Sequence, residues 1–286
     1  MLLEFRTKNY KSFVDETCFS MTSAPKQKGL DYSVMSVKAG AKKYKGLCCA
    51  VIYGPNASGK TNLIGAMDTF KSIVLRGNVM NSEASSPNLA ASFLELVPYC
   101  KNQSSQTFFS IRFIDENLLI EYSLKVDLGP FMDKEYNRKI LEERLCVNEK
   151  QIFLRNESLD VNIPAVIKSF INKSVKKKTP QIQELAEGSL ADTELFLTNG
   201  FKSIFAQELV KRILDWFDRK FIVIYHSDDL RVIGHFVNPK ANTVYVEKTL
   251  TEAAKVFGIT GNALGYKMGG NNAREDAVLC SIFNLI

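Results

Sequence analysis

Residues 54 to 61, Gly54-Pro55-Asn56-Ala57-Ser58-Gly59-Lys60-Thr61, fill the pattern G-x-x-x-x-G-K-[ST] at every fixed position, and no other feature narrows the fold as far. A loop of this kind works only between a strand that ends facing a ligand and a helix whose N-terminus receives it. The flanks agree: the apolar run Cys48-Cys49-Ala50-Val51-Ile52-Tyr53 precedes the loop, and the helix-like stretch from Asn62 to Phe70 follows it. Strand, loop and helix are therefore predicted in that order, within an α/β fold of the phosphate-loop type.

The residue types carry the chemistry. Gly54 and Gly59 allow backbone angles and close approaches that a Cβ would obstruct, so successive N–H groups can turn onto a phosphate at the positive end of the helix. Lys60 is placed to reach the β- and γ-phosphates, and the Thr61 hydroxyl to complete the coordination of Mg²⁺. The expected ligand set is Gly54, Pro55, Asn56, Ala57, Ser58, Gly59, Lys60, Thr61 and Asn62, with ATP and Mg²⁺ as the groups bound. A chance glycine-rich turn is the alternative, and the flanking strand and helix argue against it.

The wording of the loop goes further. Tyr53 to Leu63, read as Y-G-P-N-A-S-G-K-T-N-L, resembles the loop of ABC-type ATPase heads of the RecF, SMC and OLD kind, known in bacteria as AAA family ATPases of the ABC-like branch. The opening residues Leu2 to Phe13 resemble the first strand of those heads and its Asn-aromatic-Lys-Ser-Phe turn. The resemblance implies an ABC-type head lobe with a mixed sheet and a helical insertion. It also implies that the opening turn lies near the nucleotide, which makes Lys11 and Ser12 candidate contacts; an ordinary basic strand end is the other reading.

Composition sets outer limits. With 286 residues, 45% of them hydrophobic and 24% charged, the chain can bury a core of one large or two smaller domains. No stretch approaches the roughly 18 apolar residues of a membrane span, so a cytoplasmic protein with no membrane partner is expected. The six cysteines, Cys18, Cys48, Cys49, Cys100, Cys146 and Cys280, show no paired metal-ligand spacing and read as reduced structural thiols, Cys48 and Cys49 within a buried strand. The net charge of +6 is small for this length, and its densest run is Lys173, Lys176, Lys177 and Lys178. A solvated helix end explains such a run; a nucleic-acid partner, bound through its phosphates with steep salt dependence, is the sharper reading.

Along the chain, residues 1–22 read as a two-stranded β element and 23–46 as loop-rich, with a basic stretch at 41–46. Residues 78–88 form a polar connection. Alternating strands are expected at 107–114, 118–126 and 140–147, the last leading into 151–154. From about 163 the spacing becomes helical, most clearly over 201–217, where Ile204, Phe205, Leu209, Ile213, Trp216 and Phe217 make one apolar face. Strand character returns at 221–225 and 243–247, with a short helix at 250–257. The domain reading is a phosphate-loop lobe over 1–155, a helical insertion over 156–220, and returning strands of the ATPase domain over 221–286.

Hydrolysis needs more than the loop: an acid at the end of a second apolar strand to hold Mg²⁺, and a carboxylate to orient water. The resembled branch also needs a Ser-Gly signature that completes the partner's site in a head-to-head dimer. The best local acids are Asp228 and Asp229, set off from the apolar run by Tyr225, His226 and Ser227; the weak signature matches are Glu187–Leu190 and Met268–Asn272. In the resembled family these motifs follow a region like 220–265, which leads to the expectation of an N-terminal portion of a longer ATPase. Two functions remain: an ABC-like ATPase, implied to act in phage defence or DNA maintenance, or a regulatory module that binds ATP without efficient turnover. The partners implied are a second head, as homodimer or with a complete ATPase, and a nuclease or toxin. A P-loop kinase is disfavoured, because lid arginines and an acceptor site have no counterpart.

Overall fold

A computed structural model describes residues 1–24, 29, 31–56, 58–80, 99, 106–129, 136–163, 165–176 and 180–223. All of them fall in the unit Met1–Val223. The expected strands at 243–247, the helix at 250–257, Met268–Asn272 and most of 78–88 lie outside the described residues.

The frame is a seven-stranded antiparallel sheet. Its strands are β1 (Leu2–Lys8), β2 (Thr17–Ser20), β5 (Gln106–Asp115), β6 (Leu118–Asp127), β7 (Lys139–Val147), β8 (Lys150–Arg155) and β9 (Leu159–Val161). They lie in the order β2-β1-β5-β6-β7-β8-β9. Strands β5 to β9 form a meander, with short turns after β5, β7 and β8 and a longer connection from Asp127 to Lys139; at Asn148-Glu149 both residues have positive φ (49° and 64°) and the strands meet again at Val147 and Lys150. Two left-handed residues in a two-residue loop match the right-handed twist of the flanking strands. The chain start is fitted to this meander by β1, whose Phe5 lies opposite Ile111 of β5.

One reading of the sequence is corrected within 23–46. Instead of loop alone, β3 (Val34–Ala39) and β4 (Lys42–Leu47) form a separate two-stranded ribbon. Its strands are mostly exposed and rich in lysine, so the alternation that marks a half-buried strand is muted. The ribbon is seated by Ala39, which is buried with Leu3, Ile114 and Leu119.

Helix α1 (Lys60–Arg76) crosses the sheet and buries Leu63, Ala66, Met67, Phe70, Ile73 and Val74 against it. This spacing of three and four puts all six on one face. Phe70 is the hub. Its ring stacks on Phe109 (5.7 Å) and Tyr122 (6.0 Å), meets Phe217 edge-on (5.8 Å) and tilts against Phe5 (6.1 Å).

After β9 the described backbone is mainly helical. Short 3₁₀ turns at Ala165–Phe170 and Lys173–Lys176 lead to α2 (Pro180–Glu187), a π-helical stretch at Leu197–Phe205, α3 (Gln207–Asp215) and a π turn at Trp216–Lys220. The helical face expected over 201–217 is therefore broken at Ala206, whose φ of −149° leaves the helical region. Asn172 makes the break tolerable by accepting from Gln207 N (3.2 Å) and donating to Ser203 O (3.0 Å). Of the predicted apolar face, Phe205, Leu209, Ile213, Trp216 and Phe217 are buried and Ile204 is partly buried, all in the core that also holds Phe70. The face is packing surface.

Two charged pins fix these helices to the sheet. Glu143 of β7 is fully buried and accepts from Phe196 N (2.7 Å), Leu197 N (2.8 Å) and Tyr122 Oη (2.8 Å), so it caps the first N–H groups of the 197–205 stretch. Asp115, at the end of β5, accepts from Arg212 Nε and Lys220 Nζ, both at 2.7 Å. Burial works against ionisation of Asp115, yet the hydrogen bonds from Lys220 and Arg212 outweigh it and hold the carboxyl below its ordinary value.

Phe70→Ala is expected to destabilise the unit by about 3–5 kcal/mol, the usual cost of deleting a buried ring with partial collapse, read from denaturant unfolding. Glu143 gives a pH test, since burial pushes its carboxyl above the ordinary carboxylate range. A folded value raised above the unfolded one means that folding takes up a proton, so this contribution is full at acid pH and declines as pH rises through the raised value. Glu143→Gln turns an amide NH₂ toward a backbone donor. It is expected to cost about 1–3 kcal/mol at acid pH and to flatten that slope in unfolding measured across pH.

Candidate functional site

The phosphate loop stands where α1 begins. Gly59 is the N-cap at φ 90°, and no side chain caps the helix there, so the first-turn N–H groups are left for a ligand. The left-handed angle is one that L-residues rarely adopt, and a Cβ at this position would come within 2.9 Å of Ser12 Oγ and 3.1 Å of the Phe13 ring. No acidic residue occupies the first turn of α1, which keeps the positive end of the helix unopposed.

Lys60 bends back over the loop. Its ammonium donates to Gly54 O (2.8 Å) and Pro55 O (2.7 Å), with Ser58 Oγ at 3.5 Å. An ammonium has three donors. Two are committed to carbonyls that fix the lysine over the loop, and the third meets only the long Ser58 contact, which a phosphate oxygen could displace. Thr61 is exposed in the first helical turn. Gly54, Pro55, Asn56 and Ser58 are exposed as well; Ala57 lies outside the described residues.

The opening turn of the chain is brought to this loop. Asn62 Nδ2 donates to Ser12 Oγ (2.7 Å), and Tyr10 Oη shares a hydrogen bond with Thr69 Oγ1 (2.9 Å) in the buried interior. Tyr10 and Phe13 exchange backbone hydrogen bonds (3.0 and 2.8 Å), closing a turn in which Asn9 and Lys11 have positive φ (53° and 49°). Asn9 ties the turn to β5 by donating to Gln106 O (3.0 Å), while its carbonyl accepts from Thr107 Oγ1 (2.8 Å). Ser12 is thus at the loop. The Lys11 ammonium lies 5.7 Å from the centre of the Tyr10 ring.

The segment before the loop departs from expectation. Residues 48–53 form no strand, and Val51 (78% exposed), Tyr53 (90%) and both cysteines face solvent. A strand exists only through its neighbours' hydrogen bonds, and among the described residues this segment has a single backbone bond, Cys48 N to Ser33 O (2.8 Å), and no ladder. The reading of Cys48 and Cys49 as buried is corrected for the same reason.

Other candidates fall apart from the loop. Ser189 closes α2 by donating to Ala186 O (2.7 Å), so Glu187–Leu190 is a helix end. Lys173 is exposed in the turn Lys173–Lys176; Lys177, Lys178 and the side chain of Lys176 lie outside the described residues, as do Asp228 and Asp229. No group of three or more His, Cys, Asp or Glu side chains among the described residues could hold a metal ion. A Mg²⁺ here would rest on Thr61, phosphate oxygens and water, which suits an ion that keeps much of its hydration. Sequence reasoning passed over the Tyr10–Thr69 bond and the Glu143 cap, since neither partner is close in sequence.

Among the described residues no helix is long and apolar enough to cross a membrane. No curated protein matches the chain. A family model described as "AAA domain, putative AbiEii toxin, Type IV TA system" matches residues 49–230, well over half of the chain, with the loop and α1 inside the match. With its mixed α/β architecture and its phosphate loop at the head of α1, the chain belongs to this AAA-domain family of P-loop ATPase-type proteins.

Proposed function

We propose that this chain binds ATP with Mg²⁺ through Gly54, Asn56, Ser58, Gly59, Lys60, Thr61 and Asn62, as the nucleotide-binding lobe of an ABC-like ATPase head of the RecF, SMC and OLD kind. The observation that carries the reading is the geometry at Gly59 and Lys60. A left-handed glycine opens an uncapped helix N-terminus, and an ammonium is tethered to the loop carbonyls with a donor to spare. Ser12, held by Asn62, supports the finer resemblance, because the opening turn meets the loop as such heads require. The type IV toxin–antitoxin system in the family description supports a role in which nucleotide state governs a toxin or nuclease partner. Assembly of two heads is part of the same proposal.

A second reading, binding without efficient turnover, is favoured by one observation: the segment 48–53 is exposed and forms no strand. The strand that should aim the loop has no ladder among the described residues, and the first turn of α1 carries no acid.

Calorimetric titration of ATP with Mg²⁺ tests the site. Lys60→Ala is expected to weaken binding by at least about tenfold, since hydrogen bonds to charged groups contribute about 1.5–3 kcal/mol; equal affinity would remove the assignment. Gly59→Ala is expected to weaken binding comparably, through strain at φ 90° and the clash with Ser12 and Phe13, while far-UV circular dichroism keeps its native form. Turnover by the chain alone should be far below the roughly 1–10³ s⁻¹ usual for enzymes. A rate in that range, abolished by Asp228→Asn or Asp229→Asn, would instead establish an unorthodox acidic strand end.

A further inference from the structure

We propose that Arg76 and Arg138 form a second anion site, apart from the phosphate loop, that takes a phosphate dianion, either inorganic phosphate or the terminal group of a phosphate monoester. Arg76 is the last residue of α1, and Arg138 immediately precedes β7. Both are tied to one segment, 191–195. Gly77 O accepts from Leu195 N (2.8 Å), Val79 N donates to Thr193 O (2.9 Å), and Ile140 N donates to Asp192 O (2.7 Å). At 1.5 Å per residue, the 17-residue α1 places Arg76 about 24 Å from the loop.

What marks the place is a set of buried donors with no acceptor among the described residues. Arg138 is only 9% exposed, and its Nε and Nη1 are buried without a hydrogen-bond partner; so is Nη1 of Arg76. The cost of a buried, unpaired guanidinium is several kcal/mol, and proteins rarely leave one in place. Desolvation lowers the pKa of both groups, and the Arg76 charge lowers that of Arg138 further, so the two cations are near enough to repel. Both stay protonated regardless.

Among the described residues the acids of the adjoining segments are engaged elsewhere. Asp127 accepts from Tyr136 Oη and Gly129 N (both 3.0 Å), Asp192 faces Lys139 (3.8 Å), and Glu194 accepts from Asn199 Nδ2 (2.6 Å). The bland account, a cation beside a helix C-terminus, covers the bond from Arg76 Nη2 to Met80 O (2.9 Å) but neither the free Nη1 nor Arg138. Two guanidiniums carry two positive charges and forked donors. A phosphate dianion matches both in charge and in its tetrahedral set of oxygens, whereas one carboxylate would leave a buried charge over.

The test uses the full chain carrying Lys60→Ala, so that the phosphate loop does not contribute. Inorganic phosphate and glycerol 3-phosphate are titrated calorimetrically at constant ionic strength. Saturable binding of either is expected, weakened at least about tenfold by Arg138→Gln and by Arg76→Gln and unchanged by Lys139→Gln. Tighter binding of the ester would identify a carried phosphate, and tighter binding of the free ion a solute. Arg138→Met covers the case in which glutamine fails to fold. It should leave the phosphate-free melting temperature equal or higher, because an uncompensated charge is gone, and should abolish stabilisation by phosphate. No saturable binding, equal affinity in Arg138→Gln, malonate binding more tightly than phosphate, or a lowered phosphate-free melting temperature in Arg138→Met would each overturn the site.

Discussion

The seating of Phe70 in the sheet is the contact on which the rest of this molecule depends. One ring touches β1 through Phe5, β5 through Phe109, β6 through Tyr122 and the last helical turn through Phe217. Aromatic pairs of this kind add about 0.5–1.5 kcal/mol each beyond the area they bury. Their larger effect is positional. A helix is a stiff rod, and fixing its middle in rotation and depth fixes both ends, with the phosphate loop at one and Arg76 at the other. The Tyr10–Thr69 bond, one residue away from Phe70, prevents rolling about that contact and ties the opening turn to the same rod.

The helices after β9 answer a different problem. Their backbone leaves the α-helical pattern at Ala206 and in the wide turns at 197–205 and 216–220, so donors and acceptors that would pair within a regular α-helix must be met in other ways. Glu143, Asn172 and the carbonyl pairs Phe201 N to Phe196 O (2.7 Å) and Phe221 N to Trp216 O (2.8 Å) meet them. The stack of Phe113 on Trp216, with ring centres 3.7 Å apart, then binds the end of the helical region to β5. Polar pins set direction and aromatic rings supply burial.

Where the sequence was legible, a local rule sufficed. The loop is read from eight contiguous residues. Strands β5 to β8 carry alternating apolar residues because one of their faces meets the core shared with α1 and the later helices, and the buried face of 201–217 keeps its helical spacing despite the break. What stayed hidden depends on partners far along the chain. Glu143 looks like an ordinary strand-surface acid until Phe196 and Leu197 arrive from 53 and 54 residues away. Arg138 reads as one more surface cation, and only burial beside Arg76 gives it meaning. The segment 48–53 failed in the opposite direction: its composition promises a central strand, yet composition cannot supply the neighbours that make one.

The pairing of β1 with β5 sets an order of events. Strands β5 to β9 follow one another in the chain, the widest gap being that from Asp127 to Lys139, so each closes on its predecessor at small entropic cost, whereas Phe5 must wait for Ile111 and Thr7 for Phe109, about a hundred residues later. During synthesis the first strand, the ribbon and the glycine-rich loop therefore emerge long before the surface that organises them. The meander is the template, and α1 with its attached loop docks only once that template exists. A ribosome-bound chain stopped before residue 106 would carry every residue of the nucleotide loop and have no platform on which to set it.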